Sequence, residues 1–225
     1  MHVLLFGASG MVGQGVLREC LRDEGVASVT AVVRAPLGVS HPKLRELRHR
    51  DFTDFSALTA EFADTDACFF CLGVSAAGHD ERAYTTVTYD YALAAARALP
   101  AKPELTFVYV SGEGTDGTER GRRMWARVKG RTENALLARD FEAYMFRPGF
   151  IKPLHGARSR TRWYRLFYLA TSWLYPVLRL LGPAHVTTTE NVGRAMLVVS
   201  RRGGTGPRVL DSRAINTAAR EYVRG

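Results

Sequence analysis

The sequence predicts an α/β fold in which a doubly wound parallel sheet carries helices on both faces. Short apolar or β-branched runs alternate with helical patterns along the chain, and several runs, such as VLLF at Val3–Phe6, are apolar throughout. The alternation indicates βαβ units, and uninterrupted apolar strands are typical of a sheet covered on both faces. No linker rich in Pro, Gly or Ser divides the 225 residues, so we expect a single domain over 1–225.

Six strands with helices between them account for the first two thirds of the chain. The predicted strands are His2–Phe6, Val29–Val33, Leu44–His49, Ala67–Leu72, Leu105–Val110 and Ala143–Arg147, and the predicted helices lie near 11–23, 54–62, 81–99 and 122–139. Further on, Thr187 with Glu190 indicates a helix start with a capping box. Arg208–Asp211, followed by a helix to Val223, indicates an additional edge strand.

Composition favours a cytoplasmic protein. The first apolar run ends in a glycine turn and leaves no room for a signal peptide, and the longest charge-free apolar run, 166–178, is too short to span a bilayer. Three cysteines fit a reducing compartment. Cys68 and Cys71 have redox-motif spacing, but residues three apart on a strand point to opposite faces, so we expect them to pack in the core. The six histidines show no ligand-like spacing, so we expect no metal.

The net charge of +9 is concentrated late in the chain. Residues 1–146 hold 17 Lys and Arg against 19 Asp and Glu, whereas residues 147–225 hold 14 against 3. Such asymmetry suggests an anionic ligand, an acidic partner or a membrane surface, and a solvated basic face is the alternative. Nucleic-acid binding is not expected, because no recognition module accompanies the basic bias.

GASGMVG, residues 7–13, lies between the first predicted strand and the first helix. Gly7 permits a tight turn, Gly10 lets the backbone approach a pyrophosphate, and Gly13 allows close contact between helix and sheet. The helix start then offers free N–H groups to phosphates. We therefore expect a Rossmann-type dinucleotide site; the residues of this turn expected to contact the cofactor are Gly7, Ser9, Gly10, Met11, Val12 and Gly13.

The second strand ends in VVR, which bears on cofactor choice. An acidic residue there would bind the ribose hydroxyls of NAD, whereas Arg34 suits a 2′-phosphate, so NADP is predicted and NAD is less favoured. Strand order places Asp51 and Phe52 beside the adenine. It also places Leu72 and Gly73 where the cofactor crosses the sheet.

With these residues in place, the chain resembles the short-chain dehydrogenase/reductase superfamily, and in particular its extended and atypical NAD(P)H-binding, epimerase-like branch. In that family a serine follows the fifth strand, and a Tyr-x-x-x-Lys pair lies on the next helix. VYVSGEG places Ser111 at the serine position, and MWARVKG places Lys129 at the lysine position. The turn of Arg147 and Pro148 resembles the one that passes the nicotinamide. The resemblance implies NAD(P)-dependent oxidoreductase chemistry.

Trp125 stands where the family has its proton-transferring tyrosine. Indole N–H donates a hydrogen bond but does not ionise usefully, so the departure affects the mechanism and leaves cofactor binding intact. We assign Ser111, Lys129 and Trp125 to the catalytic position, with Lys129 also bonding the nicotinamide ribose. Other candidate proton donors are a bound water and the side chains of Tyr164, Tyr168 and His155.

Residues 157–182 begin with crowded arginines and continue with aromatics and leucines. We expect a small helical lid or substrate region over 151–190, closing on a hydrophobic or anionic small molecule; peripheral membrane contact and internal packing are the alternatives. Three functions follow: an NADP-dependent oxidoreductase with altered proton delivery, a non-catalytic dinucleotide-binding sensor or regulator, and a membrane or acidic-partner binder. The sequence does not specify the oligomeric state.

Overall fold

A computed structural model describes residues 1–157 and 185–223. The strands of these residues are β1 (His2–Phe6), β2 (Ser28–Val33), β3 (Leu44–Arg48), β4 (Ala67–Phe70), β5 (Thr106–Val110), β6 (Glu142–Arg147), β7 (Phe150–Lys152), β8 (Val186–Thr188) and β9 (Val209–Asp211). The α-helices are α1 (Met11–Arg22), α2 (Thr59–Phe62), α3 (Glu81–Thr85), α4 (Tyr91–Ala98), α5 (Met124–Leu137), α6 (Thr189–Val199) and α7 (Ser212–Arg220).

In the described part of the chain, seven strands form one parallel sheet in the order β3-β2-β1-β4-β5-β6-β9. The order reverses direction between β1 and β4, and ligands of such sheets bind at the carboxyl ends of the strands around that point. The predicted Rossmann-type doubly wound fold is confirmed, as is the predicted edge strand, which is β9.

The core is divided by the sheet into two layers. Val3 and Leu5 pack on one face with residues of α1, α6 and α7, whereas Leu4 and Phe6 pack on the other with residues of α4. This alternation follows from the two-residue period of a strand. Cys68 and Cys71 pack in opposite layers and are free thiols, as their spacing predicts.

Two predicted helices have a different form in the structure. The segment 54–62 contains only a 3₁₀ turn, Ser56–Leu58, and the single turn of α2. The Asp54 carboxylate accepts hydrogen bonds from the backbone N–H and hydroxyl of Ser56, and such local bonds compete with a helix. The segment 81–99 is continuous but includes a π-helical stretch, Thr86–Asp90, between α3 and α4.

The helix start predicted near Thr187 is displaced by one residue. The Thr188 hydroxyl, not that of Thr187, accepts from the Asn191 backbone N–H and caps α6. Thr187 instead donates to the side chain of Asn216. Glu190 therefore does not complete a capping box, and its carboxylate is paired with Arg194.

A second, two-stranded parallel sheet was not predicted. Phe150–Lys152 pairs with Val186–Thr188 beside the main sheet. The first strand includes the start of the region 151–190 that was predicted as a lid, and the second strand lies near the end of that region. The remainder of the predicted lid, from residue 158 to residue 184, lies outside the described residues.

Candidate functional site

The glycine turn is built so that two of its positions accept no side chain. Gly7 has φ +80°, and a Cβ there would lie 2.6 Å from the Leu72 backbone nitrogen. A Cβ on Gly13 would lie 2.0 Å from the Gly7 carbonyl oxygen. The start of α1 is thus in close contact with the turn, and the turn is in close contact with the end of β4. This close approach is the geometry that a dinucleotide-binding turn requires.

The first turn of α1 is open to an anion. Its N-cap is Gly10, no side chain caps it, and no acidic residue lies in the first turn. Backbone N–H groups at a helix start have no partner within the helix and bind phosphates. Ser9, Met11 and Val12 around this end are half-buried. The residues present therefore fit the pyrophosphate of a nicotinamide dinucleotide.

Arg34 directly follows β2 and is exposed. Its guanidinium carbon lies 4.9 Å from the centre of the Phe52 ring, a distance at which a cation is attracted to an aromatic face. Phe52 itself is only 3% exposed and packs in the core. Asp51 accepts from the backbone N–H and hydroxyl of Thr53, and these bonds lower the pKa of its carboxyl. The buried Phe52 ring thus packs against the guanidinium of the exposed Arg34.

At the end of β4, the two residues predicted to border the cofactor differ in their surroundings. Leu72 is half-buried against the core, and its backbone abuts Gly7. Gly73 is exposed, with open space where a Cβ would lie. Both follow the central strand next to β1, so they lie at the crevice where the strand order reverses.

Ser111 is turned toward the protein interior. It is 5% exposed, and its hydroxyl lies 2.5 Å from the Glu133 carboxylate. Glu133 is 1% exposed and also accepts from Arg147, whose Nε lies 3.0 Å from Oε1 and whose terminal nitrogen lies 2.5 Å from Oε2. A buried carboxylate needs such partners. The hydroxyl proton of Ser111 therefore has an internal acceptor.

Lys129 points in the other direction, into a cleft. Its ammonium donates to the Ser111 carbonyl oxygen, and it follows Trp125 by one helical turn on α5. Burial lowers its pKa to about 8, and the Glu133 carboxylate acts in the opposite direction by raising it. Burial disfavours the charged form of an amine. A lysine with such a pKa releases its proton near neutral pH.

The cleft has a volume of about 660 Å³ and lies at the carboxyl ends of β5 and β6. The described residues that line it are Gly112, Glu113, Gly114, Arg123, Trp125, Lys129, Pro148, Gly149 and Phe150. The Trp125 ring lies against Gly114, where φ is +81° and an added Cβ would come within 3.2 Å of the indole. The structure thus brings Lys129, Trp125 and Pro148 together at the cleft. The side chains of Ser111 and Arg147 lie behind them, where both donate hydrogen bonds to the Glu133 carboxylate.

Three residues at the site, Glu113, Glu133 and His185, escaped sequence reasoning. Glu133 reads as an ordinary helix residue, although its position one turn after Lys129 was a usable signal. Glu113, which lines the cleft, is hydrogen-bonded to His185, and the two are too far apart in the chain for their sequence spacing to reveal the contact. His155, by contrast, was a candidate proton donor, but it pairs with Glu190 in a different cleft.

That second cleft, of about 680 Å³, runs from the glycine turn along the outer face of α1. Its lining includes Ser9, Leu17, Arg18, Leu37 and His155. Across 1–157 and 185–223, no group of three or more His, Cys, Asp or Glu side chains is arranged to hold a metal ion. Nor does any helix in those ranges have the length and apolar character to cross a membrane.

Comparison with known protein families identifies the family whose sequence pattern includes the glycine turn. A family model described as NAD(P)H-binding matches residues 7–161, more than half of the 225 residues. The chain belongs to the NAD(P)H-binding family. The match begins at Gly7 and includes Ser111, Lys129 and Arg147, so the family's sequence pattern extends over both the turn and the cleft described above.

Curated relatives of this NAD(P)H-binding chain include fungal and animal proteins. Protein FMP52, mitochondrial, of Saccharomyces cerevisiae is 30% identical over 166 residues, covering 72% of this chain and 69% of the yeast protein. Protein fmp52-2, mitochondrial, of Aspergillus oryzae is 29% identical, covering 65% of this chain and 66% of its own length. The chain thus spans just under two thirds of the Aspergillus relative.

Solved structures share the fold at low sequence identity. An oxidoreductase of the short-chain dehydrogenase/reductase family from Burkholderia thailandensis has a TM-score of 0.69 and 19% identity, with 93% of this chain and 89% of that chain covered. The Bordetella bronchiseptica enzyme WbmH, solved in complex with NAD⁺, has a TM-score of 0.67 and 15% identity, with 94% and 75% covered. These structures share the predicted fold, and together with the NAD(P)H-binding family match over residues 7–161 they support the predicted short-chain dehydrogenase/reductase type of superfamily.

Proposed function

We propose that this NAD(P)H-binding protein is an NADP-preferring oxidoreductase that reduces a small carbonyl compound of hydrophobic or anionic character. The observation that carries the proposal is the cleft at the ends of β5 and β6, where Lys129 and Trp125 lie side by side with Pro148. A concave site that combines apolar walls with an amine of lowered pKa is the arrangement expected of an active site.

Different residues of the site bind the cofactor and border the substrate. The glycine turn and the first turn of α1 hold the pyrophosphate, and Lys129 donates to the nicotinamide ribose. Pro148 and Gly149 border the nicotinamide end of the cleft. The bound cofactor supplies the hydride, and the protein fixes where it is delivered. The Trp125 ring forms an apolar wall on the substrate side.

Cofactor preference rests on Arg34, which is exposed at the end of β2 and supported by Phe52. NADPH should raise the melting temperature more than NADH at equal concentration, because stabilisation follows the logarithm of ligand concentration over Kd. Arg34→Asp should shrink or reverse that difference. Arg213→Asp is the matched control, since it makes the same charge change on α7, at the opposite edge of the sheet. Equal responses of the unmodified protein to both cofactors would refute NADP preference.

Measurement of turnover distinguishes the proposed oxidoreductase from the alternative function, a non-catalytic redox sensor. The alternative is favoured by two facts: Trp125 has no ionisable proton, and Ser111 donates to Glu133. We expect slow reduction of 4-nitrobenzaldehyde by NADPH, and Trp125→Tyr should accelerate it by restoring an ionisable hydroxyl. Tight NADPH binding without turnover in either form supports the sensor.

We also propose a compartment and partners for this protein. The free state of all three cysteines supports a reducing compartment, and we propose the cytoplasm. The names of the fungal relatives place those proteins in mitochondria, so fractionation of expressing cells is the test. The proposed partner is a small-molecule substrate. Salt-sensitive sedimentation with anionic vesicles would add a membrane surface, as the basic C-terminal third suggests.

A further inference from the structure

Few side chains of the cleft are able to release a proton to a substrate. Trp125 has only an indole N–H, and the guanidinium of Arg123 does not release a proton in proteins. The Ser111 hydroxyl donates to a buried carboxylate behind the cleft. Tyr164 and Tyr168, two candidates from the sequence, lie outside the described residues.

Among the described residues that line the cleft, Lys129 is an amine able to donate a proton. It shares the lining with Trp125 and Gly112, and a Cβ on Gly112 would lie 3.4 Å from its Nζ. An ammonium has three hydrogens, and one of them is used on the Ser111 carbonyl. Two remain for a ligand, so the amine is able to bond a ribose and a substrate oxygen together.

Charged groups surround Lys129 on each side. On α5, Glu133 lies one turn further on, and Arg123, which directly precedes the helix, lines the cleft. From β6, Arg147 neutralises Glu133. From the loop after β5, Glu113 reaches the mouth and is paired with His185. Among the described residues, Glu133 is thus shared between Arg147 and Ser111 and is not hydrogen-bonded to the amine, and burial of the amine favours release of its proton.

We propose that Lys129 itself is the general acid of this site and takes over the role that a tyrosine would have at Trp125. The inference rests on the proposed function. When bound, the reduced nicotinamide would supply a hydride, with its two electrons, to the carbonyl carbon and would be left oxidised. Lys129 Nζ–H would then protonate the carbonyl oxygen, which has received the C=O π pair, to give the alcohol. The neutral amine would regain a proton from water through the open cleft.

The first test measures the titration of Lys129 without turnover. The chain has four lysines, Lys43, Lys102, Lys129 and Lys152, so protein labelled with ¹³Cε-lysine gives few signals, which single Lys→Arg variants assign. We expect the Lys129 signal to titrate at about pH 8, in accordance with its buried position, and to respond to added NADP⁺. A midpoint above about 10, the ordinary value of a free lysine, would overturn the proposal.

The second test uses Lys129→Arg, which keeps a cation for the ribose but does not release a proton. With NADPH and 4-nitrobenzaldehyde, kcat of the unmodified protein should fall as pH rises beyond about 8, where the amine loses its proton. In the variant kcat should be lower by about 10²- to 10⁴-fold and should lack this limb, while NADPH affinity changes little. Lys102→Arg, on the loop before β5, is the control and should behave like the unmodified protein.

The outcomes distinguish the inference from the function on which it rests. An unaltered pH profile in Lys129→Arg, or loss of the limb in His185→Asn instead, means that another group is the acid. Bound NADPH without turnover, despite a Lys129 midpoint near 8, overturns the proposed function in favour of the sensor, and the inference fails with it. If NADPH does not bind at all, the proposed function itself fails.

Discussion

Replacing Lys129 with methionine should make the protein more stable at neutral pH, although it removes a residue of the proposed active site. On folding, the pKa of Lys129 falls from its ordinary 10.5 to about 8, chiefly because the amine is buried. At one pKa unit per 1.36 kcal/mol, keeping this ammonium in the folded state costs about 3 kcal/mol at pH 7. Methionine has a similar length and no charge. The lost hydrogen bond to the Ser111 carbonyl offsets about 1 to 2 kcal/mol, so a net gain of about 1 to 2 kcal/mol is expected.

The pH dependence of this gain identifies its cause. Between pH 8 and 10.5 the folded protein has released the Lys129 proton and the unfolded chain still holds it, so unfolding takes up a proton. The free energy of unfolding contributed by Lys129 therefore rises through this window, and the advantage of Lys129→Met should shrink accordingly. Urea unfolding of both proteins at pH 7 and pH 10 measures the difference, with Lys102→Met as the control. A difference that stays constant with pH, or a variant less stable at both, would refute the reasoning.

Other substitutions test the packing behind the site. Gly13→Ala should destabilise the protein by about 1 to 3 kcal/mol or more and abolish cofactor-induced thermal shifts, because its Cβ would meet the Gly7 carbonyl oxygen at 2.0 Å. Arg147→Leu should cost about 3 to 5 kcal/mol in urea unfolding, since it leaves the Glu133 carboxylate buried without its cationic partner; a loss below 1 kcal/mol would contradict the buried pair. Thr188→Ala should lower stability by about 1 kcal/mol through loss of the α6 cap, as thermal unfolding would show.

The elements that the sequence predicts well are those whose signal is local. β1 and β4 are uninterrupted apolar runs and need only their own composition to be recognised. The glycine turn is largely local as well, because an added Cβ on Gly10 or Gly13 would approach the Gly7 carbonyl, within six residues along the chain. The helix that carries Trp125 and Lys129 was placed within two residues of its observed ends. These features fixed the fold and the family.

The features that sequence reasoning missed depend on contacts between distant segments. The orientation of Ser111 is set by Glu133 and Arg147, 22 and 36 positions away along the chain (133 − 111 and 147 − 111). No local pattern indicates that the hydroxyl turns inward. Likewise, β7 and β8 are three residues each and form a strand pair only because the main sheet brings them together. Phe52 stays a predicted neighbour of the adenine; what its position after a strand end did not indicate is that the aromatic cluster of Phe6 and its neighbours holds its ring in the core.

The pairing of Phe150–Lys152 with Val186–Thr188 joins two segments that the chain separates by 36 positions (186 − 150). The first segment follows β6 beside the cleft, and the second leads directly into α6, which packs against α1. A substitution that weakens this short parallel pair is therefore expected to affect both the cleft and the helix that follows the glycine turn.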